Sequence, residues 1–504
     1  MSRISCPDLI TRVVSADEAV RHIRPGDNVG MSGFTGAGYP KAIPGVLAQR
    51  MREAHASGST FQIGLWTGAS TAPQVDGVLA EAGGIASRLP YNSDPTLRKL
   101  INAGEVDYLD PHLSHTAQQM WFGFYGRLDV AVVEVAAILP DGRLVPGSSV
   151  GNNPTWLDQA DRVILEVNHW LPRRFEGFHD IYHGTALPPH RLPIQMTEPM
   201  ERIGEPYLKV DPAKVVAVVE TDEADHNSPA FPPLDDQSRA IGRHVLDFLR
   251  HEVKAGRMPK DLLPLQSGVG NVANAVLYGL DGSEFRDLIA YTEVLQDAML
   301  DLLDSGTLRA VSTTSLGLSG IGSERFRANM DAYKGRILMR SENITNHPEL
   351  IRRLGVIAMN GMIEADIYGH VNSTHVMGSA VMNGIGGSGD FARNSYLNFF
   401  LSPSTAKNGT ISTIVPMASH VDHTEHDTHV IVTEQGLADL RGVSPVDRAE
   451  RIIEHCAHPD YRDLLFDYLE RSKAGRPGAQ HEPHLLGEAL GWHQRYLDTG
   501  TMLP

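Results

Sequence analysis

The chain carries the same ordered plan twice, and that repetition restricts its fold more than any other feature. Residues Met31–Leu47 read as a strand end, Ser32-Gly33, a glycine-rich turn through Gly36 and Gly38, and a helical run Ile43–Met51. Residues Pro264–Leu280 follow suit, with Ser267-Gly268, then Gly270 and Asn271, then an Ala- and Val-rich helix. A second pair lies further along each half. Val130–Gly151 is an apolar run, then Asp141-Gly142, then Ser148-Ser149-Val150-Gly151; Val356–Gly378 is an apolar run, then Tyr368-Gly369, then Ser373-Thr374 and Gly378. Two matches in the same order point to duplication. Short apolar runs, among them Val130–Val135, Arg162–Val167, Lys214–Val219, Leu288–Tyr291, Gly355–Met359 and His429–Thr433, alternate with helical patterns. Such alternation predicts two tandem, internally related open α/β domains with mainly parallel sheets. Ligands of such sheets gather beyond the carboxyl ends of the strands.

A chain of 504 residues exceeds what one hydrophobic core organises, in keeping with two domains. The join is expected in Asp225–Asp236, where Pro229, Pro232 and Pro233 make a stiff connector, giving domains 1–230 and 231–504. Beyond it Ile241, Val245, Phe248, Leu249 and Val253 fall at helical spacing, with Gly256 as the stop. A net charge of −17 disfavours nucleic acid and anionic membrane as partners. Two cysteines, Cys6 and Cys456, do not make a disulfide framework and fit a reducing compartment. The first 20 residues carry Asp8, Asp17 and Glu18 and do not read as a signal peptide. No stretch approaches the ~20 apolar residues that span a bilayer, so a cytoplasmic location is expected.

Four segments are candidates for chemistry. Glu293, in Leu288-Ile-Ala-Tyr-Thr-Glu-Val-Leu-Gln-Asp297, follows a buried strand and precedes a helix expected around Leu295–Leu303. A carboxylate there is either partly desolvated and reactive, or a solvated helix-start glutamate. In Gln266–Asn274, Gly268 and Gly270 allow close backbone approach and the next helix offers free amides to an anion. Gly268, Gly270 and Ala273 also satisfy a dinucleotide pattern, but the preceding strand is short and contains Pro264. The loop Asn383–Asp390 lacks a leading strand and suits an oxyanion or phosphate through its amides. Histidines 420, 423, 426 and 429 tempt a metal assignment, yet His429 opens an apolar strand and no cysteine joins them; no metal is expected. Neither cysteine has a nucleophile-like setting, and no G-x-S-x-G or Walker pattern occurs.

Taken together, these segments resemble the acetyl-CoA hydrolase/transferase family of class I CoA-transferases, on the bacterial succinyl-CoA:acetate side. The resemblance runs from Ser-Gly-Phe-Thr-Gly-Ala-Gly-Tyr-Pro40 to the C-terminus and is strongest in Gln266–Val276, Tyr291–Leu300, Ile351–Ser373, Met382–Arg393 and Val432–Arg441. It implies a CoA-transferase-like fold with the active site between the domains, and a nucleophilic glutamate at Glu293 in Tyr-Thr-Glu-Val. It implies thioester-bordering roles for Gly268, Val269, Gly270 and Asn271 and for Gly386, Gly387, Ser388 and Gly389, with Val269 and Gly387 as amide donors. Asn346 matches an asparagine that holds the thioester oxygen, and Ser70 and Glu434 match residues near the site. The family's arginine for a substrate carboxylate is matched in Asp225-His226-Asn227 by a histidine, which leaves acid specificity open. The resemblance further implies small carboxylic acids and acyl-CoA as partners, coenzyme A as substrate with no separate cofactor, and a homodimer. A ping-pong reaction through an acyl-glutamyl anhydride and a glutamyl-CoA thioester is the expected chemistry. An acyl-CoA hydrolase, a propionyl-CoA:succinate transferase and a non-catalytic acyl-CoA or nucleotide-binding protein stand as alternatives.

Overall fold

The computed structural model describes residues 2–69, 72–184, 187–226, 234–475 and 477–504. The chain forms two compact units. The first comprises Met1–Ala230, Ile289–Leu300 and Arg309–Leu354; the second comprises Phe231–Leu288, Asp301–Leu308 and Gly355–Pro504. A single cut at 230/231 therefore does not describe the packing, and Glu293 falls in the first unit, not in the C-terminal one. The physical reason lies in the backbone. Val150 N donates to Thr314 O (2.9 Å) and Leu316 N to Ser148 O (3.0 Å), so the segment after Arg309 is bonded to the first half of the chain.

In the first unit seven strands run in the order Asp107–Tyr108, Ile85–Leu89, Ile63–Trp66, Asn28–Met31, Val130–Val135, Arg162–Asn168, Val215–Thr221. Every pairing is parallel. The core on this sheet includes Val29, Met31, Ile63, Leu65, Val130, Val132 and Ile164, with Ile43, Leu47 and Met51 from the helix Ile43–Ala56. Each such side chain contributes about 1.5–3 kcal/mol on burial.

In the second unit, strands Leu265–Ser267, Ile357–Gly361, Leu397–Leu401 and Val430–Thr433 are parallel neighbours, and Gly436–Asp439 closes the edge antiparallel. The helix Asp236–Lys254 buries Ile241, Val245 and Leu249, is capped by Asp235 through Ser238 N (2.7 Å), and stops before Gly256. Of the Pro-rich connector, residues 227–233 lie outside the described residues.

The duplicated plan is visible in three dimensions within each unit. Asn28–Met31 pairs in parallel with Val130–Val135, as Leu265–Ser267 does with Ile357–Gly361. Each second strand leads into an antiparallel hairpin, Ala137–Ile138 with Leu144–Val145 and Glu364–Asp366 with Val371–Asn372. The equivalent turn glycines, Gly142 (φ 84°) and Gly369 (φ 99°), occupy the left-handed region that a side chain disfavours.

One strand departs from its apolar reading. Val130–Val135 is buried throughout and includes Glu134. Its carboxylate meets Lys41 Nζ at 2.7 Å and accepts from Asn168 Nδ2 at 2.7 Å. Burial pushes the Glu134 carboxyl up to about 8, against the pull of Lys41. Glu166, on the neighbouring strand, accepts from Lys41 N (2.6 Å), Ala42 N (3.1 Å) and Ile43 N (2.8 Å), so it caps the helix Ile43–Ala56 from across the fold.

Candidate active site

Glu293 stands in a two-residue break between strands Leu288–Tyr291 and Val294–Leu295. The helix expected around Leu295 begins at Asp297 instead, because Val294–Leu295 pairs in parallel with Ser315–Leu316. The glutamate is therefore held by strand pairing and not by a helix start. Its carbonyl accepts from Thr313 Oγ1 (2.7 Å), Thr314 N (2.9 Å) and Ser315 N (3.1 Å). One residue earlier, Thr292 N donates to Ser312 O at 3.0 Å. The backbone is thus fixed on both sides, while the side chain remains only half-buried.

Asn346 supplies the other half of the site. It terminates the short helix Glu342–Thr345, its amide bonded to Glu342 O at 2.8 Å, and it is fully buried. Its Nδ2 donates to Glu293 Oε1 at 3.0 Å, and its buried Oδ1 has no hydrogen-bond partner among the described residues. Two ties hold that helix in place. Tyr291 OH donates to Ile344 O (2.6 Å), and Asn152 Nδ2 donates to Glu342 Oε1 (2.8 Å). Beside Asn346, burial pulls the His347 imidazole down to about 4, so it is neutral near pH 7. Burial, foremost, pushes the Tyr91 hydroxyl up to about 12, and the Glu293 charge adds to this. Tyr91 accordingly stays protonated. A donor fixed on a carboxylate oxygen is what a carboxylate nucleophile requires when its own carbonyl is later attacked.

Asp225 and His226, at the position matched to a family arginine, are engaged inside the first unit. Asp225 accepts from Gly38 N (2.9 Å) and Lys41 Nζ (3.0 Å) and from Ser148 Oγ, while His226 Nδ1 lies 3.2 Å from Gln74 Nε2. Asn227 and Ser70 lie outside the described residues.

The remaining candidates belong to the second unit. Gly268 N donates to Met359 O at 2.8 Å, Val269 is 61% exposed, and the helix Asn271–Leu280 starts after Gly270. Gln266 Nε2 donates to Asn360 Oδ1 (3.1 Å) while its Oε1 accepts from Met359 N (3.0 Å), which anchors the strand feeding this turn. In the other loop, Asn383 Nδ2 donates to Ser373 O (3.1 Å), Gly386 takes φ 57°, and Gly387 precedes the helix Ser388–Asn394. Glu434 follows strand Val430–Thr433 and accepts from Ser404 N at 2.7 Å. The four histidines turn to different partners. His420 faces Asp422 (3.2 Å), His426 faces Glu425 (2.8 Å), His429 Nδ1 accepts from Asn398 N (3.3 Å), and His423 lies between two serines. Among the described residues no group of three or more histidine, cysteine or acidic side chains is placed to hold a metal ion. Cys456 is buried, and burial pushes its thiol up to about 12. Among the described residues no helix is long and apolar enough to cross a membrane.

Sequence reading missed the supports of Glu293: Thr313, Tyr291 and the Asn152–Glu342 pair. Their signal is a partner remote in sequence, which no local pattern carries.

Comparison with known proteins adds to this geometry. Residues 8–220 match the profile of the acetyl-CoA hydrolase/transferase N-terminal domain, and residues 322–469 that of the C-terminal domain. A succinyl-CoA:acetate CoA-transferase of Clostridium kluyveri is 46% identical over 500 residues, covering 99% of this chain and 92% of that protein. An acetyl-CoA hydrolase of Schizosaccharomyces pombe is 47% identical over 515 residues, covering 99% of this chain and 98% of that one. The solved structure of RipA from Yersinia pestis superposes with a TM-score of 0.71 at 23% identity, over 92% of this chain and 98% of that one. It bears on the fold.

Proposed function

Because the chain belongs to the acetyl-CoA hydrolase/transferase family, we propose that it transfers CoA from succinyl-CoA to acetate through a covalent cycle on Glu293. The observation that carries this reading is the 3.0 Å bond from Asn346 Nδ2 to Glu293 Oε1 on a backbone fixed at its carbonyl.

In the cycle Glu293 attacks the thioester carbonyl, the C–S bond breaks, and an acyl-glutamyl anhydride forms with CoA thiolate released. The thiolate then attacks the Glu293 carbonyl, the anhydride C–O bond breaks, and succinate departs from a glutamyl-CoA thioester. Acetate attacks that thioester, thiolate leaves, and the thiolate takes the acetyl group to regenerate the Glu293 carboxylate. Thioester free energy passes from one acid to another, so neither nucleotide hydrolysis nor a separate cofactor enters the scheme. Each attack on the glutamyl carbonyl builds negative charge on a side-chain oxygen, where the Asn346 amide donates. The glycine turns at Gly268–Asn271 and Gly386–Gly389 offer backbone amides suited to the thioester oxygen of the acyl-CoA, with Val269 and Gly387 as the donors. Losing one such donor costs about 3 kcal/mol of transition-state stabilisation. By the resemblance, Glu434 and Ser70 are further candidates for binding acyl-CoA. A cytoplasmic homodimer goes with this reading.

Hydrolysis is the second reading, favoured by the equally similar hydrolase among the relatives. It needs the same anhydride or thioester and differs only in admitting water to it. The deciding experiment incubates the protein with succinyl-CoA and acetate and follows acetyl-CoA and free thiol separately. Acetyl-CoA without free thiol establishes transfer; free thiol independent of acetate establishes hydrolysis. Neither product from any short-chain acyl-CoA would overturn both readings and leave a binding protein.

A further inference from the structure

His423 is the one member of the histidine run that is buried and turned toward the glycine loop. It is 3% exposed, and its ring packs 4.7 Å from that of Phe400. Its backbone is pinned to the hairpin strand Val371–Asn372, since Val371 N donates to His423 O (2.8 Å) and His423 N donates to Val371 O (3.0 Å). Its Nε2 lies 3.3 Å from Ser388 Oγ and 3.3 Å from Ser373 Oγ.

The hydroxyl protons fix the polarity of these contacts. Ser388 Oγ donates its single proton to Ile385 O (2.8 Å), and Ser373 Oγ donates its own to Asp422 Oδ2 (3.3 Å). With both hydroxyl protons so placed, the two oxygens present lone pairs to the imidazole, and the tautomer this arrangement assigns carries its proton on His423 Nε2. Asp422 completes the frame by accepting from Ser373 N (2.7 Å) and Thr374 Oγ1 (2.9 Å). Ser388 is the residue after Gly387 and opens the helix Ser388–Asn394. Its side chain, folded back on Ile385 and held by His423, closes the loop around Gly386 and Gly387 on itself.

We infer that His423 is a positioning residue, whose Nε2–H clamps Ser388 to Ser373 and thereby sets the direction of the Gly387 amide. The inference rests on the reading that this loop's amides serve the thioester oxygen. It goes further in naming what aims them. Glycine-rich backbone has no stiffness of its own, so a donor in it needs an external tether, and misplacement by about 1 Å costs on the order of a hundredfold in rate.

The test combines two readouts on His423→Ala, His423→Gln and Ser388→Ala in the full-length protein. Hydrogen–deuterium exchange of the peptide spanning residues 385–390 is expected to quicken in His423→Ala and Ser388→Ala, and to return toward wild type in His423→Gln, whose amide reaches the place of Nε2. In parallel, kcat is expected to fall about tenfold to a hundredfold in both alanine variants. The KM for acyl-CoA should move less than about threefold, and glutamine should recover most of the loss. Unchanged exchange in residues 385–390 for both alanine variants would refute the clamp. Faster exchange with kcat within about twofold of wild type would refute its role in aiming the amide. Should His423→Ala fail to fold, Ser388→Ala, which removes a single half-buried hydroxyl, carries both measurements. Should the wild type prove inert toward every acyl-CoA, the proposed function falls, while the exchange comparison still decides the clamp.

Discussion

Asn346 and Glu293, 53 residues apart, meet through a 3.0 Å hydrogen bond from the asparagine amide to one oxygen of the glutamate. The bond joins a fully buried donor to a half-buried acceptor, so the donor is aimed before any substrate arrives. Asn346→Ala is expected to lower kcat by about 10²–10³-fold while moving the KM for acyl-CoA little. Asn346→Asp should be worse, since a second carboxylate there repels Glu293. Steady-state kinetics of both variants checks this.

Removing the carboxylate proposed as nucleophile has a different signature. Glu293→Ala should cut turnover by at least about 10³-fold and abolish any covalent CoA adduct in intact-protein mass spectra. The fold should survive, because the bonds from Thr313, Thr314 and Ser315 go to the Glu293 carbonyl and not to its side chain. A variant that still formed the adduct would disprove the assignment.

A buried ion pair lies in the same unit. Arg340 and Asp180 are both fully buried, and Asp180 also accepts from Ile203 N (3.0 Å) and Gly204 N (2.8 Å). Arg340→Met leaves Asp180 charged in a dry site and is expected to cost about 3–5 kcal/mol. Arg340→Met with Asp180→Asn should cost less than the single change. Urea unfolding of the three proteins measures the difference.

In the second unit Glu252 is buried and bonded to Arg257 (2.6 Å) and Arg441 (3.0 and 3.1 Å). The Arg257 bond, foremost, and the Arg441 bonds hold its carboxyl down at about 2, below the ordinary 4.5. A depressed carboxyl favours the folded state above the ordinary value, and this contribution is lost as pH falls from about 4.5 toward 2. Glu252→Gln should cost about 1–3 kcal/mol near pH 7. Its thermal transition should converge with that of wild type as pH approaches 2. A gap that persisted in acid would show that packing, not charge, is responsible.

Much of the fold was legible because parallel sheets write themselves as short apolar runs, and the repeat of Gly142 and Gly369 marks equivalent hairpins. The buried Glu134 was not legible, since Val130–Val135 reads as apolar and the Lys41 that neutralises Glu134 lies far upstream. The cut between Ala230 and Phe231 was legible, but the later return of the chain to the first unit was not, for a related reason. Proline content marks where a chain is stiff, whereas the return of Arg309–Leu354 to the first unit depends on backbone bonds to Ser148 and Val150. Glu293 could be singled out at a strand end. Its short second strand hid in Val294–Leu295, which is as compatible with a helix as with a bridge to Ser315–Leu316.

The fixed carbonyl of Glu293 has a kinetic corollary. With its main chain held by Thr313, Thr314 and Ser315, the glutamate can reorient only about its own side-chain bonds, so in the proposed cycle an acyl group carried on it would not be ferried from one station to another. Under that cycle donor and acceptor acids would take turns at one point in space. Each acid would then compete with the other for the same form of the protein. Raising acetate should slow the return of succinate, and raising succinate should slow acetate entry, a mutual exclusion that a long swinging carrier would not impose.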